Sequence, residues 1–282
     1  MQYGLMIFPT EYSIHPGELG AAAEARDFES LWVAKHSHIP ASRETPWPGG
    51  ADLPQMYYDA LDPFVALSMA AQATTTLKLA TGICLVIQRD PIQTAKSVAS
   101  LDVLSGGRFL FGVGGGWNAE EMKNHGTEMH GRWKLLRERI EAMKAIWTQD
   151  PAEYHGDRVT FDPIIANPKP RQKPHPPIHV GGAFPGGMRR AVRYGDGWIP
   201  LTGRGDDDVV GHLEEFDAAL GAAGRKRSDV EVTIYGAPAE KEALERYKSV
   251  GIDRVVLGLP PAKAEVVTDL LDRYADIVSG VG

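Results

Sequence analysis

The sequence predicts an α/β fold, a closed parallel barrel of eight strand and helix units, and three observations carry that expectation. Short apolar runs alternate with amphipathic stretches along the chain, roughly eight such pairs fit its length, and the unusual residues follow the strands. A chain of 282 residues accommodates one (β/α)8 TIM barrel of about 250 residues with insertions. The expectation is therefore a single domain over residues 1–282. An open doubly wound sheet would more naturally carry its glycine loop after the first strand.

Tyr3 to Phe8 is a brief apolar run stopped by Pro9, and the alanine-rich stretch after Pro16 and Gly17 predicts the first helix. Leu31 to Ala34 forms the second strand, followed at once by Lys35, His36, Ser37 and His38. From Ile39 to Asp59 the chain is rich in Pro, Gly and polar residues and too long for a plain connector, so it is expected to fold over a site. Asp62 with Pro63, and Asp90 with Pro91, each place a capping carboxylate before a first-turn proline and open two apolar helices. Between them, Leu77 to Val86 reads as the third strand, interrupted by Gly82.

The densest stretch is Leu101 to Glu121, LDVLSGGRFLFGVGGGWNAEE. Ser105, Gly106 and Gly107 break the preceding helix. Phe109, Leu110, Phe111 and Val113 then predict a fourth strand covered on both faces. It runs into Gly112, Gly114, Gly115 and Gly116, whose amides no side chain obstructs, as anion and cofactor sites often require. A dinucleotide fingerprint is excluded, because Trp117 occupies the position of its third glycine.

Asn118 to Asn124 predicts a short helix and His125 to Arg132 a loop. Leu136, Ile140, Met143 and Trp147 then mark one face of a long helix that ends before Pro151. Pro151 to Pro177 is expected to be an excursion with little regular structure, since prolines interrupt it repeatedly. Pro177 to Val180 gives the fifth strand, ending in Gly181 and Gly182. Gly197 to Leu201 gives the sixth, followed by Thr202, Gly203, Arg204 and Gly205. Val230, Val232 and Ile234 alternate with polar residues in the seventh, Arg254 to Gly258 is the eighth, and Val266, Leu270, Tyr274 and Ile277 mark the closing helix.

The hydrophobic fraction of 43%, charged fraction of 24% and formal charge of -7 describe a globular chain and argue against a general nucleic-acid binder. Cys84 is the only cysteine and sits among apolar neighbours, so it reads as a small buried residue. No signal-like N-terminus and no apolar run of about 18 residues is visible, so no membrane association and a cytoplasmic location are expected.

With these residues in place the chain resembles the luciferase-like family of flavin and deazaflavin oxidoreductases, in particular its branch dependent on coenzyme F420. The resemblance runs from Leu31 to Pro200 through LWVAKHSHIP, DPFVAL, TGICLV, AKSVASLDVLSGGR, GVGGGWNAEE, NPKP, PPIHVGG and YGDGWIP. It implies a bacterial-luciferase-like barrel that holds a flat tricyclic ring at its carboxyl end and moves a hydride between the ring and a small organic substrate. It also implies a non-prolyl cis peptide at Gly82–Ile83 against the ring, a wall formed by Gly114, Gly115, Gly116, Trp117, Asn118 and Pro200, and a phosphate site at Gly181 and Gly182 completed by Thr202 and Arg204. His36 matches a histidine that binds the ring or donates a proton, a role that suits imidazole. Lys35 stands where relatives often carry an acid. Trp117 stands where the family's sugar-phosphate dehydrogenases place a glutamate, which disfavours that substrate. A homodimer is implied as well.

Three other readings compete. An FMN-dependent monooxygenase would share the barrel and differ in cofactor. A metal-dependent barrel hydrolase would use His36, His38 and His179, but the sequence offers these histidines no evident acidic partner, so no metal site is expected. A non-catalytic carrier of flavin or deazaflavin would keep the pocket alone.

Overall fold

The computed structural model describes residues 1–50, 52–200 and 209–281. Eight parallel strands close into a barrel, in the ring order β1 (Gln2–Ile7), β10 (Arg254–Gly258), β9 (Glu231–Ala237), β8 (Gly197–Ile199), β7 (Ile178–Gly181), β4 (Phe109–Val113), β3 (Lys78–Thr81) and β2 (Ser30–Val33). Every neighbouring pair in that ring is parallel, so all eight carboxyl ends open on the same face. Trp32, Ala80, Leu110, Ile199 and Val256 pack together as one buried cluster, with Met6, Ile83 and Tyr235 against it. β4 is buried at every residue, as its unbroken apolar run requires.

The outer helices start where the caps place them. Asp62 accepts hydrogen bonds from the Phe64 and Val65 amides and opens α3 (Pro63–Ala73). Asp90 accepts from the Gln93 amide and opens α4 (Pro91–Leu104). The remaining helices are α1 (Pro16–Glu24), α2 (Met56–Asp59), α5 (Ala119–Asn124), α6 (Arg132–Thr148), α7 (Gly186–Tyr194), α8 (Leu213–Ala222), α9 (Lys241–Ser249) and α10 (Ala264–Ser279). None of the described helices is long and apolar enough to cross a membrane.

The amino-terminal end of the barrel is locked by charge. Arg254, 1% exposed, donates to both Glu29 oxygens at 2.9 Å and to Glu231 at 2.7 Å. Burial alone would raise the Glu29 carboxyl, but Arg254 and Lys78 overcome it and hold the group down at about 2.

Four expectations need correction. The third strand ends at Thr81; Cys84 then bridges Val113, and Val86–Gln88 close in a 3₁₀ turn. The Pro151 to Pro177 excursion contains an antiparallel hairpin, β5 (Ala152–His155) with β6 (Thr160–Ile164). Within it Pro163 sits on a two-stranded sheet where each strand is an edge, a sheet context that tolerates a missing N–H. The loop from Ile39 to Asp59 includes the short α2. The sixth strand is seen as Gly197–Ile199, and Leu201 lies outside the described residues. Cys84 is fully buried as expected, and burial pushes its thiol up to about 11.

Candidate active site

At the carboxyl face of the barrel lies a cavity of about 600 Å³. It is bounded by the ends of β1, β2, β3, β4, β7, β8 and β9, where parallel-barrel sites lie. Its walls are mainly aromatic and aliphatic, with Phe8, Tyr57, Ile83, Trp117, Trp133 and Tyr235 among the residues that line it. The Gly82–Ile83 peptide bond on this wall is cis, as the resemblance implied. Tyr235 donates its hydroxyl hydrogen to the Gly82 carbonyl at 2.8 Å, and burial pushes that phenol far above its usual value, so it acts only as a neutral donor.

The polar centre of the cavity is built around His36. The residue is 8% exposed, and its Nδ1 lies 2.7 Å from Glu121 Oε2. Glu121 is fully buried on α5, the helix that Asn118 caps through the Glu121 amide at 2.9 Å. Burial would raise the Glu121 carboxyl, but hydrogen bonding and attraction from His36, with further help from Gln88 and the Ser37 amide, bring it below its ordinary value. The carboxylate is therefore ionised near neutrality and accepts from His36 Nδ1–H. On the other side Trp117 Nε1–H donates to His36 Nε2 at 3.3 Å. Because indole is only a donor, Nε2 is the bare nitrogen of the ring, and both contacts fix the same tautomer.

The opposite wall is shaped for a larger group. Gly181 and Gly182 line it, and Gly182 has φ +152°; a Cβ there would stand 2.8 Å from an Arg190 amino nitrogen. A Cβ on Gly115 would collide with the Trp133 ring. Arg190 stacks on that ring at 3.6 Å, while its buried Nε has no hydrogen-bond partner. An aromatic slot, a glycine cradle and an unsatisfied guanidinium suit a flat ring carrying a phosphate.

The decisive comparison is with the family model described as luciferase-like monooxygenase, which matches residues 15–274. The chain belongs to the luciferase-like monooxygenase family. Among this luciferase-like chain's relatives is a protein of Mycobacterium tuberculosis, 38% identical over 280 residues and covering 98% of each chain. An FMNH2-dependent dimethylsulfone monooxygenase of Pseudomonas putida is 32% identical over 157 residues, 54% of this chain and 43% of its own. An F420-dependent glucose-6-phosphate dehydrogenase of Kineococcus radiotolerans is 27% identical over 231 residues, 78% of this chain and 63% of its own. Among solved structures, the monooxygenase RslO1 of Streptomyces bottropensis superposes with TM-score 0.79 at 20% identity over 99% of each chain. An F420-dependent secondary alcohol dehydrogenase does so with TM-score 0.77 at 20% identity, over 100% of this chain and 99% of its own. At such identities the solved structures establish the fold. Family membership puts this luciferase-like chain among oxidoreductase and monooxygenase enzymes.

Of the residues singled out from sequence, His36, Gly82, Ile83, Gly115, Gly116, Trp117, Gly181, Gly182 and Pro200 line the cavity. Gly114 and Asn118 stand behind its wall. The first leaves room for Ile83, and the second caps α5 through its Oδ1. Thr202 and Arg204 lie outside the described residues. His179 is inside the barrel, fully buried, with its ring 5.6 Å edge-on from Trp32; burial pushes it down to about 3. His36 does have an acidic partner, which corrects the earlier expectation. Among the described residues no group of three or more His, Cys, Asp or Glu side chains is arranged to hold a metal.

Sequence reading missed Glu121, Tyr235, Trp133 and Arg190 as site residues. Glu121 had one available signal, a second acid in the first turn of a helix directly after the glycine loop. Tyr235 had none, since it looks like an ordinary strand aromatic.

Proposed function

We propose that the chain is a coenzyme F420-dependent oxidoreductase acting on a small organic substrate held in the 600 Å³ cavity. The observation that carries this reading is the Glu121–His36–Trp117 arrangement, which holds an unprotonated imidazole nitrogen, Nε2, at an aromatic cavity. When bound, the deazaflavin would supply hydride exchange. Gly181, Gly182 and Arg190 would hold its phosphate, and Ile83, Trp117 and Trp133 would confine its ring.

The proton chemistry belongs to the chain. With substrate bound, its hydroxyl takes the place of the Trp117 indole at His36 Nε2, which accepts the hydroxyl proton in the oxidative direction and returns it in the reductive one. Ionised Glu121 stabilises the resulting imidazolium through Nδ1–H and keeps the ring oriented. The burial of both His36 and Glu121 strengthens that charge pairing.

The FMN-dependent monooxygenase reading is favoured by the Pseudomonas putida relative. Titrating purified protein with F420 and with FMN, following cofactor fluorescence, separates the two. Tight F420 and weak FMN binding is the expected result. Preference for FMN, with oxygen consumption on turnover, would overturn the F420 reading in favour of the monooxygenase.

A further inference from the structure

Beside the main cavity is a second, polar pocket of about 390 Å³, whose walls include Lys35, Asp62, Gln88, Arg89, Thr94 and His125. It is separated from the first by the chain at Lys35 and His36, which border both. β2 ends at Val33, and the chain beyond it runs between the two pockets.

Two side chains of this pocket have no hydrogen-bond partner for their polar ends. Lys35 is 7% exposed, and its ammonium has no hydrogen-bond or ion-pair partner among the described residues. Gln88, also 7% exposed, leaves both amide atoms without a hydrogen bond; its amide approaches Glu121 but closes no bond of good geometry. The neighbouring carboxylates are committed elsewhere. Asp62 caps α3 and pairs with Arg89 at 2.9 Å, Asp90 caps α4, and Glu121 serves His36 and Ser37. A buried amide left bare is costly unless a ligand completes it, and an ammonium that faces the same polar pocket supplies the charge to hold an acceptor there.

We propose that this pocket binds an oxyanion, a phosphate or carboxylate, through Lys35 and Gln88. It is distinct from the glycine cradle, because β2 stands directly across the ring of strands from β8 and three strands from β7. Two sources can provide such a group, a free anion or the acid group of the molecule that reacts at His36.

The test is calorimetric titration of the full chain, with and without F420, using inorganic phosphate and acetate. Wild type should bind both anions, and Lys35→Gln and Lys35→Met should each weaken binding by roughly tenfold or more, as loss of a charge-assisted bond predicts. F420 affinity of the wild type is read from its own titration, so a failure of the cofactor reading would show in that separate measurement. Melting curves for Lys35→Met confirm that it folds. Absence of anion binding to wild type, or equal binding to the variants, would overturn the proposal. Octanoate identifies the source: tighter binding than acetate, with a change in bound F420 fluorescence, marks a substrate acid group. Equal affinity marks a free anion.

Discussion

His36 is the residue on which the site turns, and its behaviour follows from two neighbours at opposite ring nitrogens. Glu121 holds Nδ1–H and Trp117 holds Nε2. Glu121→Gln keeps the shape but removes the charge that stabilises the imidazolium, so turnover should fall by about 10²-fold or more with cofactor affinity unchanged. Steady-state kinetics alongside a fluorescence titration would check this, and an unchanged turnover would remove Glu121 from the mechanism. The Glu121 carboxyl lies below its usual value, so its stabilising contribution is fully present above the ordinary carboxylate range. Activity that depends on it should decline only as pH falls below that range. Trp117→Phe should leave Nε2 without its indole partner, and nitrogen chemical shifts of His36 would show whether the Nδ1–H tautomer loses population. His36 was visible in the sequence because two histidines followed a strand. Glu121 was not, because 85 residues separate the partners and only closure of the barrel brings them together.

At the level of elements, the strand ends matter more than the strands. β3 stops at Thr81, and its continuation is held across the cavity by the Tyr235 hydroxyl from β9, 153 residues away. Tyr235→Phe leaves the Gly82 carbonyl without that donor and should cost about 1 kcal/mol of stability, by the usual worth of such a bond. Urea unfolding measures it; an unchanged midpoint would show that another donor takes over. The caps at Asp62 and Asp90 were legible because side chain and proline lie adjacent in sequence and satisfy helix amides locally. The β5–β6 hairpin was not, since edge strands can carry a proline that disguises them.

For the whole molecule, activity and stability occupy opposite ends of the barrel. Cavity, His36 and glycine cradle lie at the carboxyl face, while Arg254, Glu29 and Glu231 close the amino-terminal face. Arg254→Ala strands Glu29 in a largely buried site and should destabilise the protein by about 3–5 kcal/mol, read from denaturant unfolding. Glu29 is depressed to about 2 against a usual 4.5, so its contribution is complete above 4.5 and is lost as pH falls through 2. Wild type should therefore lose stability across that window more steeply than Glu29→Gln, and parallel acid curves would refute the assignment. The sequence by itself determined the barrel, the helix starts, the buried β4 and the glycine-lined strand ends, because periodicity, caps and chain-breaking residues act over a few neighbours. Only the tertiary structure decided which nitrogen of His36 is bare, which carboxylate serves it, and which polar groups are left unpaired. Those depend on contacts between distant strands, and it is closure of the ring that sets them.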